Sequence, residues 1–288
     1  MKIGNVLSLF DGMSCGQIAL NRAGITYDKY FASEIKEHAI KVTQHNYPNT
    51  VQLGDVTKIV GLDLPKIDLL IAGTPCQDFS SANKNKLGLE GLKSGLFYEF
   101  LRLLEEVKPT YFMLENVEMD DFSYSTISHL VKTFPVNINS ELVSGQLRQR
   151  SYWTNIGSSY EDLLGMRHCA IPQPRDKKIL LQSILESGYT DRKKSRALLE
   201  SDSRPLKSQE KMWWRYYEKG FTTVVFESPD LDWRKGLRYF TQTELERLQT
   251  VPQGYTSILN RNDAACLLGD GWTIDVIAHI FSYLDGQV

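Results

Sequence analysis

At 288 residues, with 42% hydrophobic and 24% charged side chains, the chain can bury a sizeable core, and its composition excludes a disordered or low-complexity protein. Net charge is −2, but residues 175–219 hold 12 Lys and Arg against 7 Asp and Glu, so a local +5 stands against −7 elsewhere, and a polyanion would be met there. Cys15, Cys76, Cys169 and Cys266 form no CxxC pair and the five histidines lack metal-ligand spacing, so neither a disulfide framework nor a metal is expected.

No apolar run approaches the roughly 18 residues needed to cross a bilayer, and "MKIGNVLSLFDG" has no cleavage-site pattern. The expectation is a cytoplasmic protein with no membrane contact.

In chain order, strand-like "NVLSLF" precedes a helical stretch from Ser14 to Gly24, and "KYFASE" precedes another from Lys36 to Tyr47. "TVQLGD", "DLLIAG" and "TYFMLEN" follow, then "NINSELVSG" and "SYWTNIG". Alternation of this kind predicts an α/β domain with a mostly parallel sheet and helices on both faces. From about Ser158 to Gly236 the pattern weakens, prolines and basic residues accumulate, and Trp213 adjoins Trp214 as expected core anchors, so a separate irregular lobe is predicted over 158–236. "TQTELERLQ", "RNDAACLL" and "GWTIDVIAHIFSYL" read as helices, the last with an apolar stripe at Ile274, Ile277, Ile280, Phe281 and Leu284 that should return to the first domain, giving 1–157 plus 237–288.

In an open parallel sheet, ligands gather beyond the carboxyl ends of the strands. The unusual residues stand at those ends. Phe10 opens into "FDGMSCG", where Gly12 and Gly16 permit a tight turn and close approach to a ligand. Glu34 lies 18 residues beyond Gly16, near the offset at which a carboxylate accepts from a ribose diol. Asp55 could accept from an exocyclic amine, or simply cap a turn. After "DLLIAG", Pro75 ends sheet pairing and fixes Cys76 at the crevice mouth; a buried inert thiol is the commoner role of cysteine, but polar Thr74, Gln77 and Asp78 fit it poorly. Glu115, flanked by apolar sequence, suits an acid that protonates a ring nitrogen. Gln146, Arg148 and Arg150 alternate along an extended segment, so their side chains should point one way, two guanidiniums aimed at a phosphate or a developing anion.

These motifs, in this order, resemble the DNA cytosine-5 methyltransferases over nearly the whole chain: "FDGMSCG", "SE", "GDV", "GTPCQDFS", "GLFYEF", "LENV", "QLRQR", "RYFTQTELERLQTVP" and "GDGWTIDVI". "SLFDG", "ASE", "LNRAGI" and the tryptophan of "GDGWTIDVI" are similar to the catalytic domain of the vertebrate de novo enzymes, while the length looks bacterial or phage-borne. The resemblance implies a Rossmann-like S-adenosylmethionine-dependent fold, with 158–236 as target-recognition region. Phe10, Gly12, Met13, Gly16, Glu34, Ile35, Asp55, Val56, Gly73, Pro75, Leu96 and Trp272 would line the S-adenosyl-L-methionine site. Cys76, Glu115, Arg148 and Arg150 would surround a cytosine flipped out of duplex DNA, with Cys76 bonding to C6 and no metal taking part. Three departures bear on the cofactor contacts: the second glycine of the first motif displaced to Gly16, Thr74, and Asp270 in place of an asparagine.

The resemblance further implies that the polar loop Ser80 to Gly95 closes over DNA. A companion restriction endonuclease is open, as are the recognised word and the oligomeric state. A tRNA cytosine-5 methyltransferase shares the same motifs; a non-catalytic DNA-binding paralogue would have no use for Cys76 beside Glu115. A dehydrogenase is disfavoured because "FDGMSCG" is not GxGxxG.

Overall fold

The computed structural model describes residues 1–74, 95–199, 204, 206 and 208–284; Pro75, Cys76 and all of the expected loop except Gly95 lie outside the described residues. Strands β1 (Asn5–Leu9), β2 (Tyr30–Ser33), β3 (Val51–Gln52), β4 (Ile67–Gly73) and β5 (Tyr111–Asn116) are joined by helices α1 (Cys15–Arg22), α2 (Glu37–Asn46) and α3 (Gly95–Val107), except that two short 3-10 turns link β3 to β4. Helix α4 (Asp121–Val131) and strands β6 (Thr133–Phe134), β7 (Val136–Asn139), β8 (Gln149–Thr154), β9 (Ser159–Glu161) and β10 (Arg167–Cys169) follow. The remainder holds α5 (Gln209–Tyr217), β11 (Val225–Phe226), β12 (Leu237–Arg238), α6 (Gln242–Leu248), α7 (Arg261–Asp270) and α8 (Ile274–Phe281).

The main sheet runs β3-β2-β1-β4-β5-β8-β7. β1 pairs in parallel with β2 and β4, β4 pairs in parallel with β5, and β8 runs antiparallel to β5. The order reverses between β1 and β4, the switch point at which open α/β sheets leave a crevice beyond their carboxyl ends. Continuous apolar runs such as "DLLIAG" make these strands, because both faces are covered. Leu7, Leu9, Leu70, Ala72, Leu114 and Trp153 from the sheet pack with Phe97, Phe100 and Leu103 of α3 and with Ile127 and Val131 of α4. The spacing of Phe97, Phe100 and Leu103 lays one apolar stripe along α3, and Arg102 on another face pairs with Glu99 at 2.6 Å and Glu106 at 2.9 Å. Trp153, fully buried, donates from Nε1 to Ser128 Oγ at 2.9 Å.

The chain forms two compact units: Met1–Ile138, Gln149–Gln173 and Ile277–Val288, and Asn139–Arg148 with Pro174–Val276. The lobe expected over 158–236 followed composition, whereas the second unit begins at Pro174 and takes in 139–148 and 237–276. Residues 277–284 belong to the first unit, whereas Ile274 of the apolar stripe belongs to the second.

In the second unit Met212, Tyr216, Val224, Phe226 and Leu237 form a small core. Trp213 packs on it and stacks between Trp233 at 5.9 Å and Tyr217 at 4.9 Å. Trp214 differs from the expected core anchor: it is 52% exposed, with Lys219 Nζ 4.9 Å from its ring, because it leaves α5 on the opposite side from Met212 and Tyr216. Arg261–Phe281 reaches the length and apolarity of a membrane span, more than the sequence reading allowed. That stretch is broken between α7 and α8 at residues 271–273, and 72% of its most apolar window is buried.

Candidate active site

β1 hands the chain to a turn in which Phe10, Gly12 and Ser14 all adopt left-handed φ values, 56°, 58° and 60°. Two of the three are not glycine, a strained arrangement that persists only where surroundings over-determine it. Gly12 N donates to Glu34 Oε2 at 2.8 Å, and Glu34 Oε1 accepts from Ile35 N at 2.7 Å and Lys36 N at 2.8 Å. The carboxylate at the end of β2 is thus held by three backbone N–H groups. Phe10 and Leu96 pack, partly buried, against the cluster that contains Val56. Asp55 caps the short turn at 56–58: its Oδ1 accepts from Thr57 N at 3.0 Å and Thr57 Oγ1 at 2.8 Å, and these bonds hold its carboxyl below the usual range. Met13 is buried. Gly16 lies within α1, where a Cβ would come 2.6 Å from the Tyr30 hydroxyl and closer still to Ile71 Cδ1, so its lack of a side chain serves helix-to-sheet packing.

Beneath the turn is a residue that the sequence reading passed over. Asp11 is buried, accepting from Tyr30 OH at 2.8 Å on Oδ1 and from Ser14 Oγ on Oδ2. Burial pushes its carboxyl up to about 6, against the opposing pull of Ser14, Ser8 and Tyr30, and Glu34 adds to the rise. A carboxylate between Phe and Gly at the end of an apolar strand was the available signal, but it reads as a turn residue until Tyr30 is seen to reach it.

At the neighbouring strand ends, Gly73 of β4 stands in register with Glu115 of β5. Asn116 Nδ2 donates to Thr74 Oγ1 at 2.9 Å, both groups buried, which ties the exit of β4 to the end of β5 immediately before Pro75 and Cys76. Arg150 Nε lies 3.0 Å from Glu115 Oε1 in a mostly buried ion pair, and Arg150 Nη1 donates to Gln149 O at 2.7 Å. The antiparallel course of β8 makes this meeting possible, since its beginning lies beside the carboxyl end of β5.

Arg148 and Gln146 belong to the second unit. Arg148 is buried and donates to Leu198 O at 3.3 Å, Gly269 O at 3.1 Å and Gly271 O at 2.9 Å; a cation on the last carbonyls of α7 also complements the helix dipole. Gln146 Nε2 donates to Leu248 O and Gln249 Oε1, each at 2.8 Å. Trp272, buried in the same unit, follows Gly271 at the break between α7 and α8. Among the described residues no cluster of His, Cys, Asp and Glu has a metal-holding arrangement.

The fold is shared with the solved Entamoeba histolytica methyltransferase EhMeth, which superposes with a TM-score of 0.74 at 16% identity, over 99% of this chain and 98% of that one. The chain belongs to the C-5 cytosine-specific DNA methylase family, whose model matches residues 4–219. It is similar to the type II methyltransferase M.NgoBV of Neisseria gonorrhoeae, 43% identical over 116 residues, which are 39% of this chain and 27% of that one. It is also similar to the type II methyltransferase M1.ScrFI of Lactococcus lactis subsp. cremoris, 27% identical over 256 residues, 78% of this chain and 64% of that one. The chain thus spans only about a quarter of the length of the former relative.

Proposed function

We propose that the chain methylates C5 of a cytosine in duplex DNA, with S-adenosyl-L-methionine as methyl donor and Cys76 as nucleophile. The observation that carries this reading is the Glu115–Arg150 pair at the carboxyl end of β5, next to the strand exit that leads into Thr74-Pro75-Cys76. A duplex-bound base exposes neither face of C6, so the cytosine must be rotated out at a cost of about a few kcal/mol.

The residues divide the work. Cys76 thiolate adds to C6, and N3 takes a proton from Glu115, which makes C5 an enamine carbon. Arg150 holds the Glu115 carboxyl group in position and offsets charge that develops on the ring. C5 then takes the methyl group with a neutral thioether as leaving group, a base removes the C5 proton, Cys76 leaves as thiolate, and the N3 proton returns to Glu115, which restores the aromatic ring and the acid.

The donor supplies an electrophilic methyl on a sulfonium, and the first unit has the chemistry to hold it. Among the described residues other than its two chain neighbours, none comes within 4 Å of where a Cβ on Gly12 would stand, Ile35 is 72% exposed, and the Glu34 carboxylate beside it suits a ribose diol. Phe10, Gly12, Glu34, Ile35, Asp55, Val56 and Leu96 would hold the nucleoside; Met13, Gly16, Gly73, Pro75 and Trp272 complete the proposed set. Residues 158–236, with their excess of cations, would meet DNA phosphates and base edges. A cytoplasmic setting belongs to the same reading, which leaves a companion restriction endonuclease open.

Transfer of labelled methyl to duplex DNA, to tRNA and to neither separates the three outcomes. The proposal requires transfer to duplex DNA, its loss in Cys76→Ala, and covalent trapping by a duplex containing 5-fluorocytosine; preferential transfer to tRNA would move the activity to the RNA branch.

A further inference from the structure

The turn at residues 10–14 needs an explanation that donor binding does not give, since three left-handed residues in five must be held before any ligand arrives. Its backbone is pinned by Asp11 N donating to Ser33 O at 3.0 Å and Ser14 N donating to Asp11 O at 3.1 Å. Its side chains feed a buried chain of hydrogen bonds. Tyr30 OH and Ser14 Oγ both donate to the Asp11 carboxyl group; Gln17 Nε2 donates to Ser14 Oγ at 3.0 Å and to Thr50 Oγ1 at 2.8 Å; Tyr27 OH donates to Gln17 Oε1 at 2.6 Å. Asp11 therefore joins the end of β1, the start of α1, β2 and the approach to β3 at one point. The glycine at position 16 fits the same scheme, because any side chain there would displace the Tyr30 hydroxyl.

We propose that Asp11 is the positioning residue of the methyl-donor turn, acting through Ser14 and Tyr30 without touching the donor. It sets the left-handed geometry from which Gly12 N reaches Glu34, and so fixes the carboxylate that would accept the ribose diol. The proposal rests on the reading of this turn as the donor site. The ionisable groups that face Asp11 are Tyr30 from β2, Tyr27 behind Gln17, and Glu34 across Gly12; burial pushes Tyr27 up to about 12 and Tyr30 higher, so both stay protonated at working pH.

The test measures S-adenosylhomocysteine affinity by calorimetry on the full chain, with kcat and donor KM on duplex DNA, for wild type, Asp11→Ala, Asp11→Asn and Tyr30→Phe. Asp11→Ala and Tyr30→Phe should weaken the analogue about ten-fold or more, with kcat at saturating donor within about two-fold of wild type. Asp11→Asn, which keeps an acceptor for Tyr30, should recover most of the affinity. Unchanged affinity in a folded Asp11→Ala chain, or a fall in kcat at saturating donor with affinity intact, overturns the proposal. Should Asp11→Ala not fold, Tyr30→Phe decides by the same two readouts. Wild type that binds the analogue but methylates no DNA sinks the reading of function alone, whereas the ratio of variant to wild-type affinity speaks only to Asp11.

Discussion

Arg150 and Glu115 meet at 3.0 Å across the antiparallel pair β8–β5, which brings a cation to the carboxyl edge of the main sheet. If Glu115 donates to N3, Glu115→Gln lowers kcat by about 10²–10⁴ and leaves S-adenosylhomocysteine affinity near wild type. Arg150→Met strands a mostly buried carboxylate and lowers both kcat and, by about 3–5 kcal/mol, stability. Single-turnover methyl transfer and denaturant melts check the two variants; full activity in Glu115→Gln would remove it from the chemistry.

Asp11 gives stability a pH dependence of definite sign. Its folded-state pKa, raised from 3.8 to about 6, lies above the unfolded value, so the protonated form favours the fold. That contribution is complete below about pH 4 and lost as pH rises through about 6, by about 3 kcal/mol. Asp11→Asn cannot ionise. The melting temperature of Asp11→Asn minus that of wild type should therefore rise between pH 4 and pH 7; a constant difference would contradict it.

Gly16→Ala opposes two effects. Alanine in a helix gains about 1 kcal/mol over glycine. Here the new methyl would press on Ile71 Cδ1 and the Tyr30 hydroxyl, an overpacking that costs about 1–3 kcal/mol. Net destabilisation is expected, partly relieved by Tyr30→Phe in the double variant, as thermal melts of the three chains will show.

In the second unit Glu244, fully buried, accepts from Arg238 Nη1 and Nη2 at 2.8 Å each, from Thr241 N at 2.8 Å and from Glu186 N at 2.8 Å. Burial works to raise its pKa, but Arg238 and the two N–H groups outweigh burial and bring it below the usual value. Its stabilisation is present above the unfolded pKa of about 4.5 and lost as pH falls through the folded one. Glu244→Ala should cost about 3–5 kcal/mol in urea melts at pH 7, with the gap to wild type narrowing in acid.

Strands β1, β2, β4 and β5 were legible because each is a mostly apolar run that gives way to polar or glycine residues. β9, β10 and β6 were not, for "SYE", "RHC" and "TF" are too short to show a period of two, and their pairing is settled by partners far away in the chain. That Glu115 and Arg150 share one site was implied by the family resemblance, and the structure brings the two together. The common aim of Gln146, Arg148 and Arg150 was not: alternation fixes side-chain direction only along one unbroken strand, and β8 begins at Gln149, so Arg148 turns to the carbonyls that end α7. Asp11 escaped notice because its role depends on Tyr30, which is apart from it by a whole helix.

The strand order β5-β8-β7 places the later-made strand between two earlier ones. A nascent chain that has reached Asn139 holds β7 with no strand to bind and β5 with a naked edge, the kind of exposed backbone that recruits other chains. Only when Thr154 has left the ribosome can both be closed at once. A premature stop anywhere between these two codons therefore yields a sticky fragment rather than a smaller working protein.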